Sequence, residues 1–235
     1  MSITGLFPIR KWEFTSASII KALAEEEREL LMSEAEYHEY NKGETIFREN
    51  TVAAGVYLIE HGKVKKFKVD RERGEQIIYV ANQEELIGYH ALITGGRYFD
   101  SAAALESSRL QFIPKKNFLL LLEQSLVFNR RILATLAYEF EVLANGLSIL
   151  SQKTVRERLA LQLIVMREKY KSDAAPGLPV EINLSRADLS NVVGTARENV
   201  VRLLSDFRQE GILETKGRRI IIRDVKKLIA IANYH

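Results

Sequence analysis

The chain of 235 residues contains no cysteine. That absence excludes disulfides, cysteine-ligated iron–sulfur clusters, Cys-type zinc sites and thiol catalysis together. It also suits a reducing compartment such as the cytoplasm. Histidine is scarce. His38, His61, His90 and His235 are the full set, and no two stand at a ligand spacing such as His-x-His. A metal enzyme therefore has little to build on, and no metal site is expected. Long apolar runs are missing too. No stretch approaches about 18 consecutive apolar residues, which argues against a membrane as partner. The apolar run near the N-terminus is too short for a signal peptide.

What is present suits a packed protein. Apolar residues make up 46% and charged residues 28%, so a core can form and wholesale disorder is not expected. The length suits two ordinary domains. The net charge of +3 is unevenly spread. Residues 1–151 carry 18 Lys+Arg against 21 Asp+Glu, while residues 152–235 carry 16 against 10. A mildly acidic body with a basic C-terminal third points to a polyanion as partner of that third.

Thr15 to Ser33 reads as a short helix with one apolar face. From Glu36 the segments become short, rich in Val, Ile, Tyr and Phe, and punctuated by Gly43, Gly55, Gly62, Gly74 and Gly88. They are Thr45–Phe47, Val56–Ile59, Val64–Val69, Gln76–Ala81, Leu86–Ile87 and Ser108–Ile113. This turn spacing indicates an antiparallel sandwich or barrel. Then the period changes. Leu133, Leu136, Phe140, Leu143, Leu147 and Leu150 step alternately by three and four along one helix from Leu126 to Ser151. That is a heptad seam, read as a dimer contact, with Val127, Ile132, Val142 and Ile149 turned toward the barrel.

The last third reads as a separate unit. Thr154 to Tyr170 is an amphipathic helix with Val155, Leu159, Leu163 and Met166 on one face, and Lys171 to Pro179 is a loop. Val180–Leu184 is a short strand. Ser185 opens a helix with Asp188 three residues on, and Gly194 ends it. Thr195 is placed to cap the next helix in a box with Glu198, and Gly211 ends that helix. Glu214 to Arg223 is a hairpin turning at Lys216-Gly217-Arg218, and Asp224 starts a final helix. Two short helices joined at a glycine and followed by a basic hairpin make a winged helix-turn-helix. Val200, Leu203, Leu204 and Phe207 form the buried side of its second helix. Arg197, Glu198, Asn199 and Arg202 are left on the other side. A guanidinium can read guanine, and a carboxylate can accept from cytosine. Lys216, Arg218 and Arg219 of the hairpin are placed to meet phosphates. A plainer reading has Glu198 completing a cap and Arg202 pairing with Asp206 one turn on.

The run from Leu184 to Leu204, LSRADLSNVVGTARENVVRLL, resembles the DNA-binding motif of the CRP/FNR family of bacterial transcription regulators. Tyr40–Phe47 and Gly55–Val64 resemble the opening strands of that family's cyclic-nucleotide-binding β-roll. The resemblance implies an α+β chain: an N-terminal double-stranded, jelly-roll-like β-roll (1–125), a long dimerisation helix (126–152) and a C-terminal winged helix-turn-helix domain (153–235). It implies a homodimer joined through Leu136, Phe140, Leu143, Leu147 and Leu150, double-stranded DNA as ligand and RNA polymerase as a further partner. By motif position, Arg197, Glu198 and Arg202 match the base-reading residues of the CRP branch, whose half-sites resemble TGTGA. Ser185, Thr195, Asn199, Lys216 and Arg218 complete the expected DNA contacts, and Ala196 stands where members often carry Ser.

The same resemblance places an effector pocket at Gly88, Tyr89, His90, Arg97, Asp100, Ser101 and Leu143. Cyclic-nucleotide binders use a Glu for the ribose and an Arg-Ser pair for the phosphate. Here Tyr89 holds the Glu position, Asp100 the Arg position, and only Ser101 survives. Leu143 and Ala144 stand where cyclic-AMP binders carry hydroxyl groups. Cyclic AMP is therefore disfavoured, leaving either no effector or an unidentified small molecule. Haem through His90 or His61, and a small acid through Arg97, Arg130 or Arg131, stay open. An enzyme on a cupin-like roll and a protein-binding sensor are the rival classes.

Overall fold

The computed structural model describes residues 3, 5–70, 74–174 and 178–233. Residues 175–177 of the expected loop, and His235, lie outside the described residues. The chain folds as two compact units, Phe14–Phe140 and Met1–Glu13 with Glu141–His235. This differs from the boundaries expected from sequence. Within the second unit Lys11 O accepts from Asn145 Nδ2 at 3.0 Å, tying the early residues to the long helix.

The larger unit begins with two helices, α1 (Ala17–Lys21) and α2 (Glu25–Met32), where the sequence suggested one. The break is at Ala24, whose extended backbone caps α2 while its N–H donates to Glu27 at 3.0 Å. Strands β1 (Glu36–Tyr40), β2 (Thr45–Phe47), β3 (Gly55–His61), β4 (Val64–Asp70), β5 (Gly74–Ala81) and β6 (Leu86–Ile87) follow. Next come helix α3 (Tyr89–Ile93), β7 (Ser101–Ala104), β8 (Ser108–Pro114) and α4 (Lys115–Gln124). The strands form two antiparallel four-stranded sheets, ordered β1-β8-β3-β6 and β2-β7-β4-β5. Val56, Ile59, Val64, Ile87, Ala102, Leu110 and Ile113 fill the space between them. Phe118 of α4 meets Phe128 edge-on at 5.4 Å to close one end of that core. Gly55 is required where β3 pairs with the end of β8. A Cβ there would lie 2.2 Å from the Ile113 carbonyl oxygen.

Helix α5 runs from Leu126 to Gln152. Within the larger unit it buries Phe128, Ile132, Thr135 and Glu139, and leaves Leu133 66% and Phe140 73% exposed. Leu136, expected in the seam, is instead half-buried against the β-roll core. Val127, expected to face the barrel, is 48% exposed. Both shifts follow from the apolar and inward-facing residues stepping as 128, 132, 135 and 139, which sets the buried stripe. In the smaller unit Ile149 is buried, whereas Leu143, Leu147 and Leu150 are exposed. Among the described residues α5 is the one helix long and apolar enough, on length and composition, to cross a membrane. A search for unbroken apolar runs misses it, because charged residues interrupt the pattern.

The smaller unit continues with α6 (Val155–Lys169), β9 (Glu181–Asn183), α7 (Arg186–Val193), α8 (Arg197–Gln209), β10 (Leu213–Lys216), β11 (Arg219–Ile222) and α9 (Val225–Ala232). Thr154 caps α6 in a full box with Glu157, and these hydrogen bonds hold the Glu157 carboxyl down at about 2. Helix α6 is not one-faced as expected. Ala160, Leu161, Ile164 and Val165 are buried along with Leu159, Leu163 and Met166, because α7, α8 and α9 all pack on it. Strands β10, β11 and β9 form a small antiparallel sheet.

Candidate nucleic-acid interface and sensor cluster

Helix α7 starts at Ser185, whose Oγ accepts from the Asp188 N–H at 2.9 Å and donates to its carboxylate at 2.5 Å. It ends at Gly194, in the left-handed region at φ +68°, which favours glycine. The next cap differs from the expected one. Helix α8 is capped by Ala196 with no side-chain bond, so Thr195 and Glu198 form no capping box. The left-handed turn at Gly194 sets the helix start one residue later than the motif suggested. Thr195 Oγ1 instead accepts from Asn199 Nδ2 at 3.1 Å. Glu198 is left in the first turn, exposed, beside exposed Arg197. Val200, Leu203, Leu204 and Phe207 are all buried on the opposite side.

Arg202 pairs with Asp206 at 3.5 Å, with the guanidinium side chain 65% exposed. Such a pair is worth at most about 0.5 kcal/mol, so it yields easily to a base edge. In the hairpin Lys216 and Arg218 are exposed, but Arg219 pairs with Glu181 at 3.0 Å. That pair is exposed like the Arg202 pair and is as weak.

Two arginines that the motif reading missed hold this surface in shape. Arg158 of α6 donates to the carbonyls of Val193 at 3.1 Å and Gly194 at 3.0 Å, and to Lys153 O at 3.2 Å. It thereby serves the bare carbonyl end of α7. Arg186 donates to Gly217 O at 3.1 Å and Arg218 O at 3.4 Å, tying the hairpin turn to α7. Apart from Lys153 O, their targets are backbone oxygens of distant residues, which no local spacing announces.

The expected effector residues come together only in part. Tyr89, Asp100 and Ser101 are buried, and His90 is half-buried beside them. Arg97 is exposed and donates to Asn50 O at 2.7 Å. Ser101 Oγ accepts from the Glu49 N–H at 2.9 Å. Leu143 belongs to the other unit. Gly88, at φ +85°, starts α3 and brings Tyr89 inward. Asp100 is not the bare carboxylate expected. Lys66 of β4, 3% exposed, pairs with it at 3.1 Å and lies 3.8 Å from Glu139 of α5. Glu139 also accepts from the Tyr89 hydroxyl at 2.9 Å and lies 2.7 Å from His90 Nε2.

Protonation follows from these contacts. Burial raises the Glu139 carboxyl, but His90, Lys66 and the Tyr89 hydroxyl outweigh it and bring it below the ordinary value. Burial raises Asp100 despite Lys66. Burial and Glu139 both push the Tyr89 hydroxyl up, so it stays a donor. Lys66 and Glu139 were missed by the motif reading; the strand and helix phases place them inward but do not mark them as charged partners. Lys66 shares the inward phase of Val64 two residues earlier, just before a bulge at Lys66/Phe67. Glu139 sits on the buried stripe of α5.

Residues 37–125 match the family model for the cyclic nucleotide-binding domain, and residues 157–231 match that for the Crp-like helix-turn-helix domain. The transcriptional activator protein FnrA of Stutzerimonas stutzeri is 30% identical over 194 residues, covering 81% of this chain and 78% of that protein. The chain belongs to the CRP/FNR family of transcription regulators. Anr of Pseudomonas aeruginosa, also a transcriptional activator, is 28% identical over 191 residues, 81% of this chain and 78% of its own length. The fold is shared with FixK2 of Bradyrhizobium japonicum, with a TM-score of 0.75 at 24% identity over 86% of this chain and 98% of that one. As a CRP/FNR member with a helix-turn-helix domain, the chain is a regulator and not an enzyme. Without cysteine it cannot hold a cysteine-ligated iron–sulfur cluster.

Arg158→Ala strips a charged donor from two helix-end carbonyls. It should lower stability by about 1–3 kcal/mol in urea denaturation and weaken DNA binding alike for all sequences.

Proposed function

We propose that the protein is a homodimeric transcription regulator that reads a pseudo-palindromic DNA site whose half-sites resemble TGTGA. The observation that carries this reading is the polar side of α8. Arg197, Glu198 and Arg202 are exposed there, backed by four buried apolar residues that hold the helix in place. Arg197 and Arg202 suit guanine O6 and N7, and Glu198 suits cytosine N4. Lys216 and Arg218, with Ser185, Thr195 and Asn199 at the helix starts, suit phosphates and set register without reading sequence. Dimerisation through the exposed seam would present two such helices to half-sites about one helical turn apart.

The sensor domain is read as one that does not use cyclic AMP. The cluster holds two carboxylates, Asp100 and Glu139, and its lysine is already paired. A cyclic phosphate entering there would meet like charge, with the cluster's lysine already paired. Haem through His90 would have to use Nδ1, since Nε2 faces Glu139. RNA polymerase is the natural partner if this member activates as its named relatives do, and the cytoplasm is the natural setting.

Selection from a pool of random duplexes should return paired TGTGA-like half-sites, and unrelated half-sites would refute the assignment of α8. Arg197→Ala should cost about 1–3 kcal/mol and relax the preference at one base pair, whereas Lys216→Ala should weaken all sequences alike. Leu143→Glu should convert the dimer to monomer in light scattering. A persistent dimer would place the interface elsewhere.

A further inference from the structure

We infer that Lys66 and Glu139 act as a built-in substitute for an effector, holding α5 against the β-roll so that DNA binding needs no small molecule. This rests on the reading above, that α5 joins the dimer and α8 binds DNA. The positions that resemblance assigns to an effector, Tyr89 and Asp100, are occupied by the chain's own contacts. Four elements of one unit meet there: β4 through Lys66, α3 through Tyr89 and His90, the segment entering β7 through Asp100, and α5 through Glu139. Glu139 is the one member that comes from α5. It receives a hydroxyl, an imidazole and an ammonium from the β-roll side. A bound ligand bridging a β-roll and a helix would have to supply the same service.

The surroundings support a dedicated arrangement. Phe99 packs its ring 5.2 Å from Lys66 Nζ and meets His90 edge-on at 5.2 Å. Tyr89 and His90 stack at 4.2 Å. The ammonium, 3% exposed, thus meets the Phe99 ring and two carboxylates. Buried pairs of this kind are weak sources of net stability, because desolvation offsets attraction. Their stronger effect is to allow one geometry and penalise others, since moving α5 would strand an unpaired charge. Lys66 and Glu139 are positioning residues: neither touches DNA.

The test uses the full chain and a fluorescent duplex carrying the selected site, titrated without ligand and with cyclic AMP. The wild type should bind specifically without ligand, and cyclic AMP should leave the affinity unchanged. Glu139→Gln keeps the shape and an acceptor for Tyr89 but removes the charge. It should bind the duplex about tenfold more weakly, within the usual range of coupling between sites. Lys66→Met should weaken binding at least as much, since it also leaves buried Asp100 unanswered, and the double variant should be no worse than Lys66→Met. Glu141→Gln, on the same helix and exposed, should match wild type. Amide exchange along residues 128–140 should rise in Glu139→Gln and not in Glu141→Gln, which reports the helix even if the variant binds no DNA.

Three outcomes would overturn the inference. One is a wild type that needs cyclic AMP to bind. Another is full affinity in Glu139→Gln. The third is unchanged exchange in residues 128–140 of that variant. A wild type that binds every duplex equally would instead contradict the DNA-reading assignment, and the exchange result would still decide the role of Glu139.

Discussion

A helix can bury only the face that stands opposite something, and α5 carries apolar residues on more than one face. In the larger unit its stripe of Phe128, Ile132, Thr135 and Glu139 is buried, while Leu133 and Phe140 remain bare. In the smaller unit Ile149 is covered, and Leu143, Leu147 and Leu150 are not. Exposed large apolar residues scattered singly are ordinary, but a set at heptad spacing along one helix is a surface awaiting a partner. Supposing a second copy as that partner explains why α5 leaves Leu133, Phe140, Leu143, Leu147 and Leu150 uncovered. The rest of the functional reading depends on this division of faces.

The buried face has a second property. It includes a glutamate, and a carboxylate removed from water must be answered. Lys66, His90 and Tyr89 answer it, and Lys66 in turn answers Asp100. Tyr89, His90 and Asp100, which resemblance assigns to ligand binding, are thus spent on Glu139 and Lys66. On the proposed reading, ion pairs and hydrogen bonds stand there in place of a ligand. The DNA-binding unit follows the same economy of contact: buried Val200, Leu203, Leu204 and Phe207 support α8 from behind, and Arg158 and Arg186 support its turn and its wing through backbone carbonyls.

Much of this was legible in the residues. Glycine punctuation located β2 to β6, and the wing hairpin turned where Gly217 predicted. The helix-turn-helix was readable because its buried positions follow helical spacing and Gly194 marks the turn. Strand β7 was not readable. Ser101–Ala104 has no β-branched or aromatic residue, and its small side chains serve tight burial rather than strand propensity. The break between α1 and α2 escaped notice because Ala24 caps without a polar side chain. Thr195 looked like a cap by pattern, yet backbone geometry at Gly194 moved the helix start to Arg197. The ion cluster was hidden for another reason. Lysine and glutamate read as surface residues, and only pairing across 73 positions of sequence made burial possible. Long-range satisfaction of buried charge has no local signature.

The central claim is that a dimer of this chain reads DNA sequence through α8. Fluorescence anisotropy tests it most directly. The full chain would be titrated onto a duplex with two TGTGA-type half-sites and onto a scrambled duplex, across a series of salt concentrations. The account predicts tight binding to the first, weak binding to the second, and an affinity for both that falls steeply as salt rises, as phosphate neutralisation requires. Equal binding to the two duplexes, or binding indifferent to salt, would contradict it.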